Sequence, residues 1–325
     1  MRIVFAGTPT PALVTLQVLV ASHHDVVGVI TMPDARRGRG RSLHPSAVGD
    51  YAEGLGVPVF KPQTVRGNEE LYTQVKNLQP EAIVVVAYGA LIAEPFLSLP
   101  QHGWLNVHYS LLPAWRGAAP VNAAIAHGDA ETGISIFRLD AGLDTGDLLT
   151  QVSEPIQTTD TVDSLLERLV YIGAQALVDT LDSLEAGTAT LTPQPDNLDP
   201  ATAYAPKLTT ADSRIDWTQP AEVIDRLIRS VTPTPGAWTT WAQVGGEPER
   251  VKLGPVHLVR SPEAEAPAPL NPGQVSILSG KQPRVWVGTG TDPVELDHVQ
   301  VPGKKMMAAD AWARGVHEQE GIVWQ

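Results

Sequence analysis

The segment WLNVHYSLLPAWRGAAP, residues 104–120, carries the residue types best suited to chemistry. Read as a strand, it alternates its side chains, so Asn106 and His108 project from one face while Leu105 and Val107 point to the other. Asn offers an amide donor to a developing oxyanion, and His moves a proton near neutral pH. The same pair also suits a capped turn and a satisfied core histidine. A second cluster, LDAGLDTGD at 139–147, sets Asp140, Asp144 and Asp147 in a Gly-rich loop. A calcium loop would need alternating ligands and a downstream Glu, which this spacing lacks. One of these acids beside Asn106 and His108 would complete a donor, a proton carrier and a base. As turn residues they would instead bond their own backbone, a role that suits two of the three. Third, ARRGRGRSLHPSA at 35–47 packs four arginines into six positions, with no acid between Asp34 and Asp50. Arginines spaced by glycines make a flexible loop, fit to close over phosphates or simply to be solvated.

The elements that must position these residues follow from periodicity. Apolar runs at 3–6, 26–31, 57–60, 82–87, 104–108 and 134–139 read as strands, with helical stretches at 46–55 and 69–78 between them. Thr10 and Pro11 supply an N-cap and a first-turn proline for a helix to Ala21. Strands alternating with helices imply βαβ units and a mainly parallel α/β sheet covered on both faces. Open sheets of this kind bind ligands at the carboxyl ends of their strands, where Asn106 and His108 fall. The glycine-rich pyrophosphate cradle of a dinucleotide site is missing, because AGTPTPAL after the first strand has one glycine where the fingerprint needs three, which argues against a nicotinamide enzyme. Leucines and valines from Val162 to Leu184 recur at spacings of three and four and mark a closing helix that ends at Gly187. Residues 190–206 then read as a linker between a domain at 1–189 and one at 207–325. The second has one helix at 221–230 and short strands with Gly/Pro turns, the pattern of a small β-barrel. The Pro/Ala run at 262–272 reads as a loop.

Composition narrows the classes. The 325 residues include no cysteine, which removes disulfides, thiolate catalysis and Cys-ligated zinc. The longest uncharged apolar stretch, 82–93, is short of the roughly 18 residues of a membrane span, and MRIVFAGTP reads as a first strand and not as a signal peptide. A cytoplasmic protein is expected. The net charge of −13 argues against nonspecific nucleic-acid binding. Its distribution changes that inference: residues 1–200 hold 11 bases and 22 acids, and 201–325 hold 12 and 14. The more acidic half contains the sole arginine cluster, so recognition would rest on that loop and a nearly balanced second domain.

The ordered blocks FAGTP at 5–9, MPD and GRG within 32–40, AYG at 87–89, NVH-SLLP-WRGAAP at 106–120, TGISI at 132–136 and LDAGLDTGD at 139–147 resemble the methionyl-tRNA formyltransferase family. IDW at 215–217, IRS at 228–230 and PGAW at 235–238 extend the resemblance through the C-terminal half. It implies a Rossmann-like N-terminal formyltransferase domain and an OB-like C-terminal tRNA-binding barrel. It implies 10-formyltetrahydrofolate as co-substrate, initiator Met-tRNA as acceptor, no metal and no membrane partner, and a monomer is expected. By the same resemblance Asn106, His108 and Asp144 form the catalytic set. Asn106 and His108 serve the formyl oxygen, and Asp144 orients His108 and assists proton transfer. Ser110, Leu111, Leu112 and Pro113, with Tyr88, Gly89 and Leu91, would hold the folate. Arg36, Arg37, Arg39 and Arg41, with Lys304 and Lys305, would contact tRNA. Three features depart from the family pattern: Tyr109 stands in place of a more frequent Pro or Gly, Ala114 in place of a frequent Arg, and ARR precedes GRG where many members have RPA. Formyl transfer to glycinamide ribonucleotide or to a sugar amine shares the Asn, His and Asp chemistry. The arginine loop and C-terminal domain favour tRNA.

Overall fold

The structure is a computed structural model; it describes all residues except 38–41, 196–197, 243–246, 260–266, 268, 279, 282 and 317–320. The chain forms two compact units. The first comprises Met1–Pro120, Glu131–Pro155 and Leu166–Ala205, and the second Val121–Ala130, Ile156–Leu165 and Pro206–Gln325.

The first unit begins with β1 (Arg2–Gly7), α1 (Thr10–Ala21), β2 (Asp25–Ile30) and a short hairpin of β3 (Ala35–Arg37) and β4 (Ser42–His44). Next come α2 (Ala47–Leu55), β5 (Val59–Phe60), α3 (Glu69–Asn77), β6 (Ala82–Val86), β7 (Trp104–His108) and β8 (Arg116–Gly117). After α4 (Pro120–His127), most of which lies in the second unit, follow β9 (Glu131–Arg138), β10 (Leu148–Pro155), α5 (Val162–Glu185) and β11 (Tyr204–Ala205). Local rules account for the helix starts. Ser46 accepts from the Gly49 amide to cap α2, and Asn68 accepts from the Leu71 amide to cap α3. The cap of α1 is Pro9 and not Thr10, which is already helical.

Seven strands make one sheet in the order β10-β9-β7-β6-β1-β2-β5. The pairs β7-β6, β6-β1, β1-β2 and β2-β5 are parallel. By contrast β7-β9 and β9-β10 are antiparallel, so the expected parallel sheet is mixed at one edge. The expected strand at 134–139 is the longer β9, paired through its length with β10, whose polar alternation hid it among apolar runs. Strand order reverses between β1 and β6, and ligands of open α/β sheets bind beyond the carboxyl ends of strands at such a switch point. The sheet is buried: Val4, Phe5, Ile83, Val84, Trp104 and Leu105 are inaccessible to solvent. α5 packs close to β7 at Gly173, where an added Cβ would stand 3.0 Å from Val107 Cγ1 and 3.5 Å from Ile134 Cγ2.

Residues 190–205 are not a free linker. The amides of Trp115 and Arg116 donate to the carbonyls of Thr202 and Ala203, and those of Ala118 and Ala119 to that of Ala205. β11 runs parallel to β8. Proline and threonine removed periodicity from this segment, but its backbone is paired.

The second unit contains η1 (Ala211–Ser213), α6 (Ala221–Ser230) and α7 (Ala309–Ala313). Its strands are β12 (Ala237–Trp241), β13 (Glu249–Leu253), β14 (Val256–Leu258), β15 (Val275–Leu278), β16 (Arg284–Val287), β17 (Val294–Leu296), β18 (His298–Gln300) and β19 (Met307–Ala308). They form two four-stranded antiparallel sheets, β12-β13-β18-β19 and β14-β17-β16-β15. Ile224 and Ile228 of α6 share one core with Trp217, Trp312 and Trp324, whose rings stand 6.1 Å (Trp217 to Trp324) and 5.6 Å (Trp312 to Trp324) apart. Among the described residues no helix is long and apolar enough to cross a membrane.

Because Gly173 lets α5 approach the strand that ends at His108, Gly173→Val should overpack this contact. We expect a loss of about 1–3 kcal/mol of stability, read from urea unfolding. Unchanged stability would place the helix farther from β7 than the structure does.

Candidate active site

β7 delivers Asn106 and His108 to the carboxyl end of the sheet, and the hydrophobic positions between them fix the register. Val107 pairs with Ile136, and Asn106 and His108 with Phe137 and Ser135. The Asn106 amide is half-buried and makes no hydrogen bond with the described residues, so its donors are available. His108 is 6% exposed. Its Nε2 lies 2.9 Å from the Trp115 carbonyl. A carbonyl only accepts, so this nitrogen carries the hydrogen. That leaves Nδ1 as the nitrogen without a hydrogen, 3.8 Å from Asp144 Oδ2 and beyond direct hydrogen-bond range. Burial pushes the imidazole pKa below its ordinary 6.5, while the Asp144 carboxylate and the Trp115 bond pull it back.

Asp144 Oδ2 accepts from the Gly117 amide at 2.8 Å. The other two acids of the loop are occupied otherwise. Asp140 accepts from the Gly142 amide and the Thr145 hydroxyl, and Asp147 stands 3.6 Å from Arg138. Only Asp140 shows the expected turn role, while Asp147 approaches Arg138 and Asp144 faces His108. Both partners of the histidine sit on left-handed backbone, Trp115 at φ +60° and Asp144 at φ +53°. Such conformations cost a non-glycine residue roughly 1–2 kcal/mol and persist only where surroundings impose them.

One residue in those surroundings escaped sequence reasoning. Gln194 is buried, and its Nε2 donates to the carbonyls of Asp144 at 2.9 Å and Gly146 at 2.8 Å. Its Oε1 accepts from the Arg116 guanidinium at 3.2 and 2.7 Å. A single Gln in a Pro/Thr-rich stretch has no periodic or motif signal, so only the folded contacts reveal it.

The expected folate residues have a firm frame. Ser110 is buried and donates from Oγ to the Ala114 carbonyl, while the Leu112 amide donates to Ser135 Oγ and Gln151 Nε2 to the Leu112 carbonyl. Leu111 and Pro113 are half-buried. The departure at Ala114 therefore leaves this turn supported by its backbone. That at Tyr109 places the ring beside Gly173. Tyr88 is buried with no partner for its hydroxyl among the described residues, and burial pushes its pKa up to about 12. Gly89 has positive φ in open space, and Leu91 is 68% exposed. Leu91 helps line an open cavity of about 560 Å³ with Ile92, Leu97, Arg138, Leu139 and Asp140. Neither Asn106, His108 nor Asp144 lines it.

Of the arginine cluster, Arg36 and Arg37 lie on β3, opposite Leu43 and Ser42 of β4; Arg39 and Arg41 lie outside the described residues. The flanks of the expected loop are therefore a hairpin. Lys304 and Lys305 are exposed in the second unit, where the Lys304 carbonyl accepts from Gln300 Nε2. Among the described residues the donor atoms of His23, His24, Asp182 and Glu185 lie within 4.8 Å of one another. The amino-terminal ammonium already sits there, 2.9 Å from Glu185.

The sequence model of the formyl transferase family matches residues 1–181, and that of the formyl transferase C-terminal domain matches 207–317. The chain is 53% identical to a methionyl-tRNA formyltransferase of Corynebacterium efficiens over 98% of each chain. It is 52% identical to one of Corynebacterium glutamicum over the full length of both, and 48% identical to one of Mycobacterium bovis over 97% of each. Among solved structures it resembles HypX from Aquifex aeolicus in complex with tetrahydrofolic acid, with TM-score 0.63 and 18% identity, covering 99% of this chain and about half, 48%, of that one. An N-formyltransferase from Helicobacter canadensis in complex with folinic acid and dTDP-3-aminofucose aligns with TM-score 0.61 and 16% identity, over 91% of this chain and 98% of that one.

The electrostatics of His108 can be tested directly. Asp144→Asn removes the charge that raises its pKa, so the imidazole resonances in an NMR titration should move to a lower pKa; an upward shift would contradict the geometry. Since the native pKa lies below the ordinary 6.5, the unfolded chain binds the proton first. His108 therefore lowers stability as pH falls through 6.5, and His108→Gln should flatten that slope.

Proposed function

This chain belongs to the formyl transferase family, and we propose that it transfers the formyl group of 10-formyltetrahydrofolate to the α-amino group of initiator Met-tRNA. The observation that carries this reading is about half-identity, over essentially the whole length, to methionyl-tRNA formyltransferases. A sugar 3N-formyl transferase and the Helicobacter canadensis N-formyltransferase match at only 15% and 16% identity and bear on the fold alone.

The site residues perform the transfer as follows. The α-amino nitrogen attacks the formyl carbon, and the carbonyl electron pair moves onto the formyl oxygen. The Asn106 side-chain amide, which has no partner among the described residues, donates to that oxyanion. His108, kept neutral by burial, takes the ammonium proton at Nδ1, and the Asp144 carboxylate stabilises the resulting imidazolium. This assigns His108 to the proton rather than to the oxyanion, because Nε2 is committed to the Trp115 carbonyl. Collapse of the intermediate breaks the bond to folate N10, which takes the proton from the His108 imidazolium as it leaves, and the products are formylated amine, tetrahydrofolate and neutral His108. Ser110, Leu111, Leu112, Pro113, Tyr88, Gly89 and Leu91 hold the folate, beside the cavity at Leu91. The chemistry needs no metal.

We assign residues 1–189 to formyl transfer, with 190–206 as a strap on that domain, and 207–325 to tRNA binding. Two antiparallel sheets around one core support an OB-like reading of the latter. Arg36, Arg37, Arg39, Arg41, Lys304 and Lys305 contact phosphates, and the acidic remainder discourages binding elsewhere. The enzyme acts in the cytoplasm as a monomer.

Incubation with 10-formyltetrahydrofolate and either Met-tRNA or glycinamide ribonucleotide decides the acceptor: formylation of the nucleotide alone would overturn the assignment. Asn106→Ala should lower kcat about 10²-fold, roughly 3 kcal/mol, with an unchanged circular dichroism spectrum. Full turnover would remove Asn106 from the oxyanion site. Arg39→Ala should raise KM for Met-tRNA while leaving that for folate unaltered, and equal tRNA affinity would refute the phosphate role.

A further inference from the structure

We propose that Gln194 is a positioning residue for the transfer, setting the distance between Asp144 and His108 from a segment that sequence reads as a linker. The inference rests on the catalytic reading of those two residues.

The geometry of the Gln194 amide is over-determined. Its oxygen accepts twice from Arg116, and its nitrogen donates to two carbonyls, those of Asp144 and Gly146. Arginine has no acceptor and a carbonyl has no donor, so only one amide orientation satisfies all four bonds. Nε2 spans carbonyls two residues apart and so templates the loop at the point where Asp144 takes φ +53°. Gly146 helps: any Cβ there would collide with the Arg138 carbonyl, so the loop cannot be filled or re-routed by a side chain. At its other end the amide holds Arg116, which is 8% exposed. Arg116 lies between Trp115, whose carbonyl binds His108, and Gly117, whose amide binds Asp144. One side chain therefore joins the backbone behind both partners of the histidine. At Gly117 an added Cβ would approach the Ala205 carbonyl to 2.7 Å, so the strap that carries Gln194 lies directly on β8.

The electronic consequence follows from the 3.8 Å gap between His108 Nδ1 and Asp144 Oδ2. If the loop relaxes, the carboxylate recedes, less charge opposes the burial of the imidazole, and the imidazolium formed during transfer loses its counter-ion. Gln194 acts through Asp144 and not by touching substrate.

Two variants test this with different chemistry. Gln194→Glu keeps an acceptor for Arg116 but presents oxygen to two carbonyls, and Gln194→Met removes every bond at similar volume. Both should lower kcat by about 10- to 100-fold, with KM for folate and Met-tRNA within about threefold. Gln194→Met, which adds no charge, should also shift the NMR titration of His108 to lower pH, in the same direction as Asp144→Asn. A lower Tm with normal kcat per folded enzyme and an unshifted His108 would overturn the proposal, leaving Gln194 a structural tie. The Asp144→Asn enzyme separates the two readings. If it turns over normally, the catalytic assignment of Asp144 has failed; if it is impaired while both Gln194 variants are normal, the positioning role alone has failed.

Discussion

His108 is buried at the end of β7, where a charged imidazolium is costly, and the rest of the first unit is arranged around that cost. Burial alone would leave a neutral and weakly basic ring. One carbonyl fixes its tautomer and one carboxylate stands close enough to favour protonation without a direct bond. A base that is neutral at rest yet stabilised when it takes a proton requires this combination. Neither partner comes from β7 itself, so loops must bring both.

Those loops adopt backbone conformations that their residues disfavour. Trp115 and Asp144 are left-handed and neither is glycine. The strain is sustained by backbone pairing between 115–119 and 202–205 and by the side-chain bridge through Gln194 and Arg116. These ties hold Trp115 and Asp144 on a rigid frame, although each sits in a connection between regular elements. The SLLP turn is built the same way, with Ser135 and Gln151 reaching it from the antiparallel edge of the sheet. The two antiparallel strands that make the sheet mixed are therefore what carry the support for that turn.

The acidic charge of the chain fits a nucleic-acid substrate once charge is treated locally. Four arginines fall within 36–41, while the first 200 residues hold 22 acids against 11 bases, so the positive charge of this part is concentrated at one place. In the second unit Arg250 stacks 4.0 Å over the Trp238 ring, so part of its positive charge is spent on aromatic packing.

The sequence by itself determined the elements whose formation is local. Alternation located β7 and put Asn106 and His108 on one face, and spacings of three and four located α5. It did not reveal β10, whose polar alternation carries little apolar signal, nor the folded state of 190–205, where proline and threonine erase periodicity. Tertiary structure alone decided which nitrogen of His108 is free, because that depends on a carbonyl seven residues away on left-handed backbone. It alone decided that Gln194 stands behind Asp144, because a contact between residues 50 positions apart leaves no periodic trace in either segment. Local propensity is written in neighbouring residues; the distance between an acid and a base is written only in the packing that brings them together.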